Sequence, residues 1–307
     1  MKFSNKKFLI TGGAGFIGSA IAQRLHDENS HIVILDDFSV GRSENLKPTY
    51  EVVKGNVADA NSFNKIHDVD FILHFAAPSS VVLFNRNPEK CMNETIIGIR
   101  NIFEYSKNNV VKKVVFPSSS SVYGNTSLPQ TESTSTMPTN LYGIAKLACE
   151  HIARLYSDAV PSVGLRIFAG YGPGEAHKGE IASVITLFMK SIAKNSKPII
   201  FGDGTQSRDF VYIDDIVEAI LKSLENSFTG IVNMGSGESL TFNEIIDLIN
   251  HLLGRNVRAQ YVKKPTLYFE HTLADITKMK NVLEISPIIL EEGLKKYLAV
   301  KTEILKK

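Results

Sequence analysis

Only two cysteines, Cys91 and Cys149, occur in 307 residues, and they stand too far apart for metal-ligand spacing. Each falls in a segment of helical pattern, so two reduced, partly buried thiols are expected, in a cytoplasmic chain without a disulfide framework. No apolar run approaches the ~20 residues that a membrane span needs. The first run, Phe8-Leu9-Ile10, ends in a glycine-rich turn where a leader would carry a cleavage site. Charge of one sign is also lacking. The 34 basic and 32 acidic side chains leave +2, well interspersed, and the basic pair Lys306-Lys307 is a chain end. Nucleic acid and a membrane surface are therefore not expected as partners. His74, His177 and His271 stand singly, without ligand partners at metal spacing, so no metal is expected. There is no internal repeat and no low-complexity tract.

What is present is ordinary globular composition, 43% hydrophobic, on a chain long enough for one large domain with a second lobe. Short apolar runs alternate with amphipathic stretches through the first half. Strands are expected at Phe8–Ile10, His31–Leu35, Tyr50–Val53, Phe71–Phe75, Lys113–Phe116 and Val163–Phe168. Helices are expected at Gly15–Asn29, Pro88–Lys107 and Leu141–Ser157. Strand then helix, repeated, predicts an α/β fold with a doubly wound parallel sheet. After Gly170 comes the turn-rich stretch GYGPGEAHKGE, then helices at Ile181–Lys194, Asn243–Leu253 and near Leu290. Short strands are read at Pro198–Phe201, Gly230–Met234 and Val257–Val262, with strand-helix over Phe210–Leu224. The expected division is a dinucleotide-binding domain over 1–168, drawing also on about 208–234. The rest, 169–307, forms a smaller mixed α/β substrate lobe interleaved with it.

Between the first strand and the first helix stands TGGAGFIG, with Gly12, Gly15 and Gly18. A tight turn needs positive φ, the backbone must come close to a pyrophosphate, and the helix must pack closely on its strand. The helix N-terminal amides then meet the phosphate charge. Asp36-Asp37 end the next strand at the distance suited to ribose recognition. A carboxylate there accepts from ribose hydroxyls and repels a 2′-phosphate, which favours NAD over NADP. Arg42, close behind, is the competing cation.

Tyr-x-x-x-Lys occurs at Tyr50/Lys54, Tyr142/Lys146 and Tyr297/Lys301. On a strand, the first pair would lie about 13 Å apart. The third, near the chain end, has no phosphate loop or serine cluster beside it. Tyr142 and Lys146 begin a helix, where positions four apart share one face. A phenol, with an ordinary pKa of about 10, needs a neighbouring cation to act as a base near neutrality. Ser118 to Ser121, in PSSSSVYG at a strand end, supply hydroxyls that can hold a substrate oxygen.

With these motifs in place, the chain resembles the extended short-chain dehydrogenases/reductases, and among them the NAD-dependent nucleotide-sugar epimerases and dehydratases typified by UDP-glucose 4-epimerase. The likeness runs through TGGAGFIG, LDDFSVGR, LHFAAPSS, FPSSSSVYG, LYGIAK, LRIFAGYGPG, FGDGTQSRDFVYIDD, VNMGSGE and TLADITK, in family order over nearly the whole chain. It implies NAD as cofactor, with Gly12, Gly15, Phe16, Ile17 and Gly18 at the pyrophosphate and Asp36 and Asp37 at the ribose. Asn56 and Val57 would lie by the adenine, and Phe75, Ala76, Ala77 and Ser118 would line the groove. It further implies Tyr142 as base, Lys146 on the nicotinamide ribose, and Ser119 on the reacting sugar oxygen. Ser120, Phe201 and Arg208 would contact the nucleotide-sugar substrate, and a homodimer would form through the helices after Pro88 and at Tyr142.

Dehydratases of this type carry Asp-Glu where Ser120-Ser121 stand, and decarboxylases tend to carry Glu at the second position. Epimerisation at C4 is the activity expected here. The alternatives are a net oxidoreductase on a nucleotide sugar and a non-catalytic NAD-binding regulatory protein. The chain departs from the family pattern at Thr95 and Ala169, where Asn is usual, and before Thr272, where Arg and Asp are missing.

Overall fold

A computed structural model describes residues 2–264 and 270–300. Lys301, the pair Lys306-Lys307 and part of the segment before Thr272 lie outside the described residues. The strands are β1 (Lys7–Thr11), β2 (His31–Asp36), β3 (Glu51–Lys54), β4 (Phe71–His74), β5 (Lys113–Ser119), β6 (Ser162–Ile167), β7 (Ala169–Tyr171), β8 (Ile199–Phe201), β9 (Ser207–Tyr212), β10 (Gly230–Met234), β11 (Ser239–Thr241) and β12 (Gln260–Val262). The helices are α1 (Phe16–Asp27), α2 (Val81–Arg86), α3 (Pro88–Asn108), α4 (Leu141–Leu155), α5 (Val184–Ala193), α6 (Ile213–Glu225), α7 (Phe242–Leu253), α8 (Thr277–Leu283) and α9 (Leu290–Ala299).

Seven parallel strands form the main sheet in the order β10-β6-β5-β4-β1-β2-β3. This is the doubly wound arrangement, with the chain leaving β1 in one direction across the sheet and returning on the other side. Side chains alternate along each strand, so one register faces each way. Ile10, Ile34, Leu73 and Val115 pack with Ile21 and Leu25 of α1 and Ile216 and Ile220 of α6. Their neighbours Leu9, Val33, Ile72 and Val114 pack with Ile99, Ile102 and Phe103 of α3 and Cys149 and Ala153 of α4. Continuous apolar runs such as FLI are what a sheet covered on both faces demands.

The second body of structure is smaller. β11, β9 and β7 form one sheet, antiparallel then parallel, and β12 pairs with β8 in another. Both cysteines are free and buried in α3 and α4, as the pattern implied. The strand expected from Tyr50 begins one residue later, because Tyr50 turns its ring inward against His26, 5.5 Å away. Helix α2 was not anticipated. Ser80 caps it, its Oγ accepting from Leu83 N, and Asn87-Pro88 ends it by starting α3.

Candidate active site

The turn between β1 and α1 is built as its glycines require. Gly12 has φ +68°, and a Cβ there would stand 2.6 Å from Ala76 N. A Cβ on Gly18 would stand 2.2 Å from Gly12 O, so α1 can approach the turn only with glycine at that place. Gly15 caps α1 with no side-chain hydrogen bond, so no side chain competes for the amides of the first turn. The Asp36 carboxylate ties the neighbouring loop to this turn, accepting from Ala14 N at 2.9 Å and Phe38 N at 2.8 Å. Burial raises its pKa, and the two amides pull against that rise.

At the far side of the cleft, Asn140 caps α4, its Oδ1 accepting from Gly143 N at 2.9 Å. That cap fixes Tyr142 in the first turn, with its ring edge-on to Phe84 at 5.5 Å. Lys146, 4% exposed, donates from Nζ to Pro117 O at 3.1 Å and lies 5.9 Å from the centre of the Tyr142 ring. One turn further, Glu150 accepts from Ser118 Oγ at 2.5 Å and is gripped by Arg166 through Nε at 2.9 Å and Nη2 at 2.8 Å. Tyr142, Lys146 and Glu150 thus share one face of α4. Two of them clasp successive residues of the β5 end, which sets Ser119 at the cleft. Ser119 Oγ accepts from Ser121 N at 3.1 Å.

His74 lies beneath this end, its Nδ1 2.8 Å from Thr11 Oγ1. Burial first, and then the Lys146 charge, pushes its pKa down from 6.5 to about 3. Above pH 6.5 folded and unfolded chains both carry the neutral ring. As pH falls, the unfolded chain takes up a proton that the folded chain refuses until near pH 3. Stability is therefore complete above 6.5 and declines toward 3, by up to ~1.4 kcal/mol per pH unit. His74→Gln is expected to flatten that slope by close to one proton in urea unfolding between about pH 6 and pH 4. An unchanged slope would contradict the buried neutral ring.

One cleft of about 470 Å³ gathers both ends. Gly12, Gly15, Phe16, Ile17, Gly18, Asp36, Asp37, Asn56, Val57, Phe75, Ala76, Ala77, Ser118, Ser119, Tyr142 and Lys146 all line it. The remaining substrate residues do not. Ser120 opens a short 3-10 turn, Ser120–Val122. Phe201, 44% exposed, ends β8. Arg208 sits on β9, donating to the carbonyls of Ser207 and Glu270 beside the Phe242 ring. Asp209, the next residue, is buried and accepts from Ser236, Gly237 and Ala274. Arg42 is exposed and does not line the cleft. Thr95 is buried with Oγ1 lacking a hydrogen-bond partner, and Ala169 lies half-buried on β7.

Several cleft residues carried no sequence signal: Leu83 on α2, Lys90 and Glu94 on α3, and His177 and Lys178. Lys178 Nζ lies 5.3 Å from the Phe16 ring centre and 3.4 Å from Glu175 Oε2. Glu175, fully buried, also accepts from Ser183 N and Thr186 Oγ1, which pins the GEAHKGE loop to α5.

A glycine turn meeting a helix N-terminus, an acidic β2 end and a Tyr–Lys pair across one cleft define a dinucleotide-dependent enzyme of the short-chain dehydrogenase/reductase type. The chain belongs to the NAD dependent epimerase/dehydratase family, whose model matches residues 8–235. It is 36% identical over 294 residues to a candidate UDP-glucose 4-epimerase of Methanocaldococcus jannaschii, covering 94% of this chain and 96% of the relative. The UDP-glucose 4-epimerase of Thermotoga maritima, solved with UDP-glucose, superposes with TM-score 0.92 at 31% identity over 98% and 100% of the two chains. That of Thermus thermophilus, in complex with NAD, gives 0.88 at 26% identity over 95% and 98%.

Proposed function

We propose that the chain epimerises a nucleotide-linked sugar at C4 through a transient 4-keto form, with NAD restored in every cycle. The observation that carries this reading is the Tyr142–Lys146 face of α4 at one end of the cleft with the glycine turn and Asp36 along it. The residues present fit the dinucleotide: a turn with no side chains in the way, uncapped helix amides, and carboxylates where ribose hydroxyls would lie. When bound, NAD supplies the reversible oxidation of the sugar carbon. Tyr142 takes the proton of the 4-hydroxyl and returns it, Lys146 orients the nicotinamide ribose, and Ser119 holds the reacting oxygen.

Epimerisation is favoured over elimination by where the carboxylates lie. Among the described residues lining the cleft they are Asp36, Asp37 and Glu94, all toward the β2–β3 edge. Hydroxyls, from Ser118 and Ser119, are what stand beside Tyr142. The UDP-sugar names among the relatives favour uridine diphosphate as the carrier. Phe201 and Arg208 on β8 and β9 are the proposed contacts for its base and diphosphate, and Ser120 for the sugar. In this reading residues 1–168 with about 208–234 hold NAD, and 169–307 mainly hold the substrate. A cytoplasmic homodimer through α3 and α4 completes it.

The test is incubation of purified protein with a panel of UDP-, GDP-, CDP- and dTDP-sugars without added cofactor, followed by NMR of the sugar. One substrate at least is expected to reach a mixture of C4 epimers with no net change in nicotinamide absorbance. A steady absorbance change with added cofactor identifies the net oxidoreductase instead. Bound NAD with no conversion of any sugar identifies the non-catalytic reading.

A further inference from the structure

At the end of the cleft away from Tyr142, Asn56 stands between two carboxylates. Its Nδ2 donates to Asp37 Oδ2 at 3.1 Å and to Glu94 Oε1 at 2.9 Å, and its Oδ1 accepts from Ala58 N at 2.8 Å. The other oxygen of Asp37 accepts from Ser39 N at 2.9 Å. Lys90 Nζ lies 3.7 Å from the same Glu94 Oε1. Glu94 Oε2 therefore remains the open acceptor: among the described residues it receives no hydrogen bond, on a side chain only 17% exposed that lines the cleft. A carboxylate oxygen in a cleft wall is a strong acceptor that favours a donor from whatever fills the cleft.

The sheet order says which part of the cofactor comes here. Tyr142 and Lys146 stand at the β5 side, and the glycine turn follows β1 in the middle of the sheet. With the nicotinamide at the first and the pyrophosphate at the second, the other nucleoside runs over the ends of β2 and β3. Asp37 and Asn56 follow those two strands, and Glu94 reaches in from α3. Adenine offers a 6-amino donor at its edge. A 6-oxo purine would set a carbonyl oxygen against the carboxylate.

We propose that Glu94 selects the base of the dinucleotide, accepting the adenine 6-amino group on Oε2 while Asn56 holds Oε1 in place. Asn56 is then a positioning residue, bracing the carboxylate that reads the base. This rests on the cofactor placement proposed above, and the test separates the two. The full chain is equilibrated with an equimolar excess of NAD and its 6-oxo analogue, nicotinamide hypoxanthine dinucleotide, and the bound nucleotides are released and quantified. The wild-type chain is expected to hold NAD over the analogue by about 10- to 100-fold, the range for facing an acceptor with an acceptor. Glu94→Gln, nearly isosteric and able to donate to a 6-oxo group, is expected to bring the ratio within about threefold of one. A wild-type ratio near one, or a Glu94→Gln ratio equal to wild type, overturns the assignment of Glu94 and leaves the cofactor reading standing. A chain that holds neither dinucleotide overturns both.

Discussion

Tyr142→Phe is expected to lower turnover of the nucleotide sugar by about 1,000-fold while the NAD content of the purified protein stays near wild type. The substitution removes one oxygen and nothing else. The ring keeps its edge-on contact with Phe84, and Lys146 keeps its bond to the Pro117 carbonyl. The turn and carboxylates assigned to NAD lie along the cleft and are untouched. What is lost is the group proposed to exchange a proton with the sugar oxygen, and no other phenol lines the cleft among the described residues. Turnover within about twofold of wild type would remove Tyr142 from the role of base.

Gly12→Ala is expected to strip the protein of its dinucleotide, to less than about a tenth of wild-type content, and to destabilise the fold by ~2–4 kcal/mol. Two costs combine. At φ +68° an alanine is strained, and its Cβ would stand 2.6 Å from Ala76 N and Phe75 C, backbone atoms of the loop after β4 that cannot swing aside. Gly254 separates the two costs. It ends α7 at φ +61° with nothing within 4 Å of an added Cβ, so Gly254→Ala bears the strain alone. That variant should lose ~1 kcal/mol in thermal or urea unfolding and keep its nucleotide. Equal losses in the two variants would mean that the close approach at Gly12 plays no part.

The fold could be read from the sequence wherever the physics is local. Strands buried on both faces appear as unbroken apolar runs, and FLI and VVF mark the centre of the sheet. The glycine turn is equally local, since positive φ and close approach belong to single positions, and every residue assigned to the cofactor lines the cleft. β7 and β11, of three residues each, and the short helices α2 and α8 are too brief for periodicity to register. Glu94 and Lys178 escaped for another reason. They reach the cleft because α3 packs beside α4 and because Glu175 pins a loop, and neither arrangement is written in a motif. Arg208 and Phe201 were assigned by resemblance, and they stand outside the cleft on the second lobe's strands.

In the proposed reaction the C4 hydrogen leaves the sugar and comes back to it without meeting water. The direct measurement is the reaction of a nucleotide sugar carrying deuterium at C4, run in ordinary water without added cofactor and followed by NMR. C4 inversion is expected with the deuterium kept at C4 of the product. Deuterium lost to solvent as C4 inverts would contradict it, because proton exchange would then be moving that hydrogen.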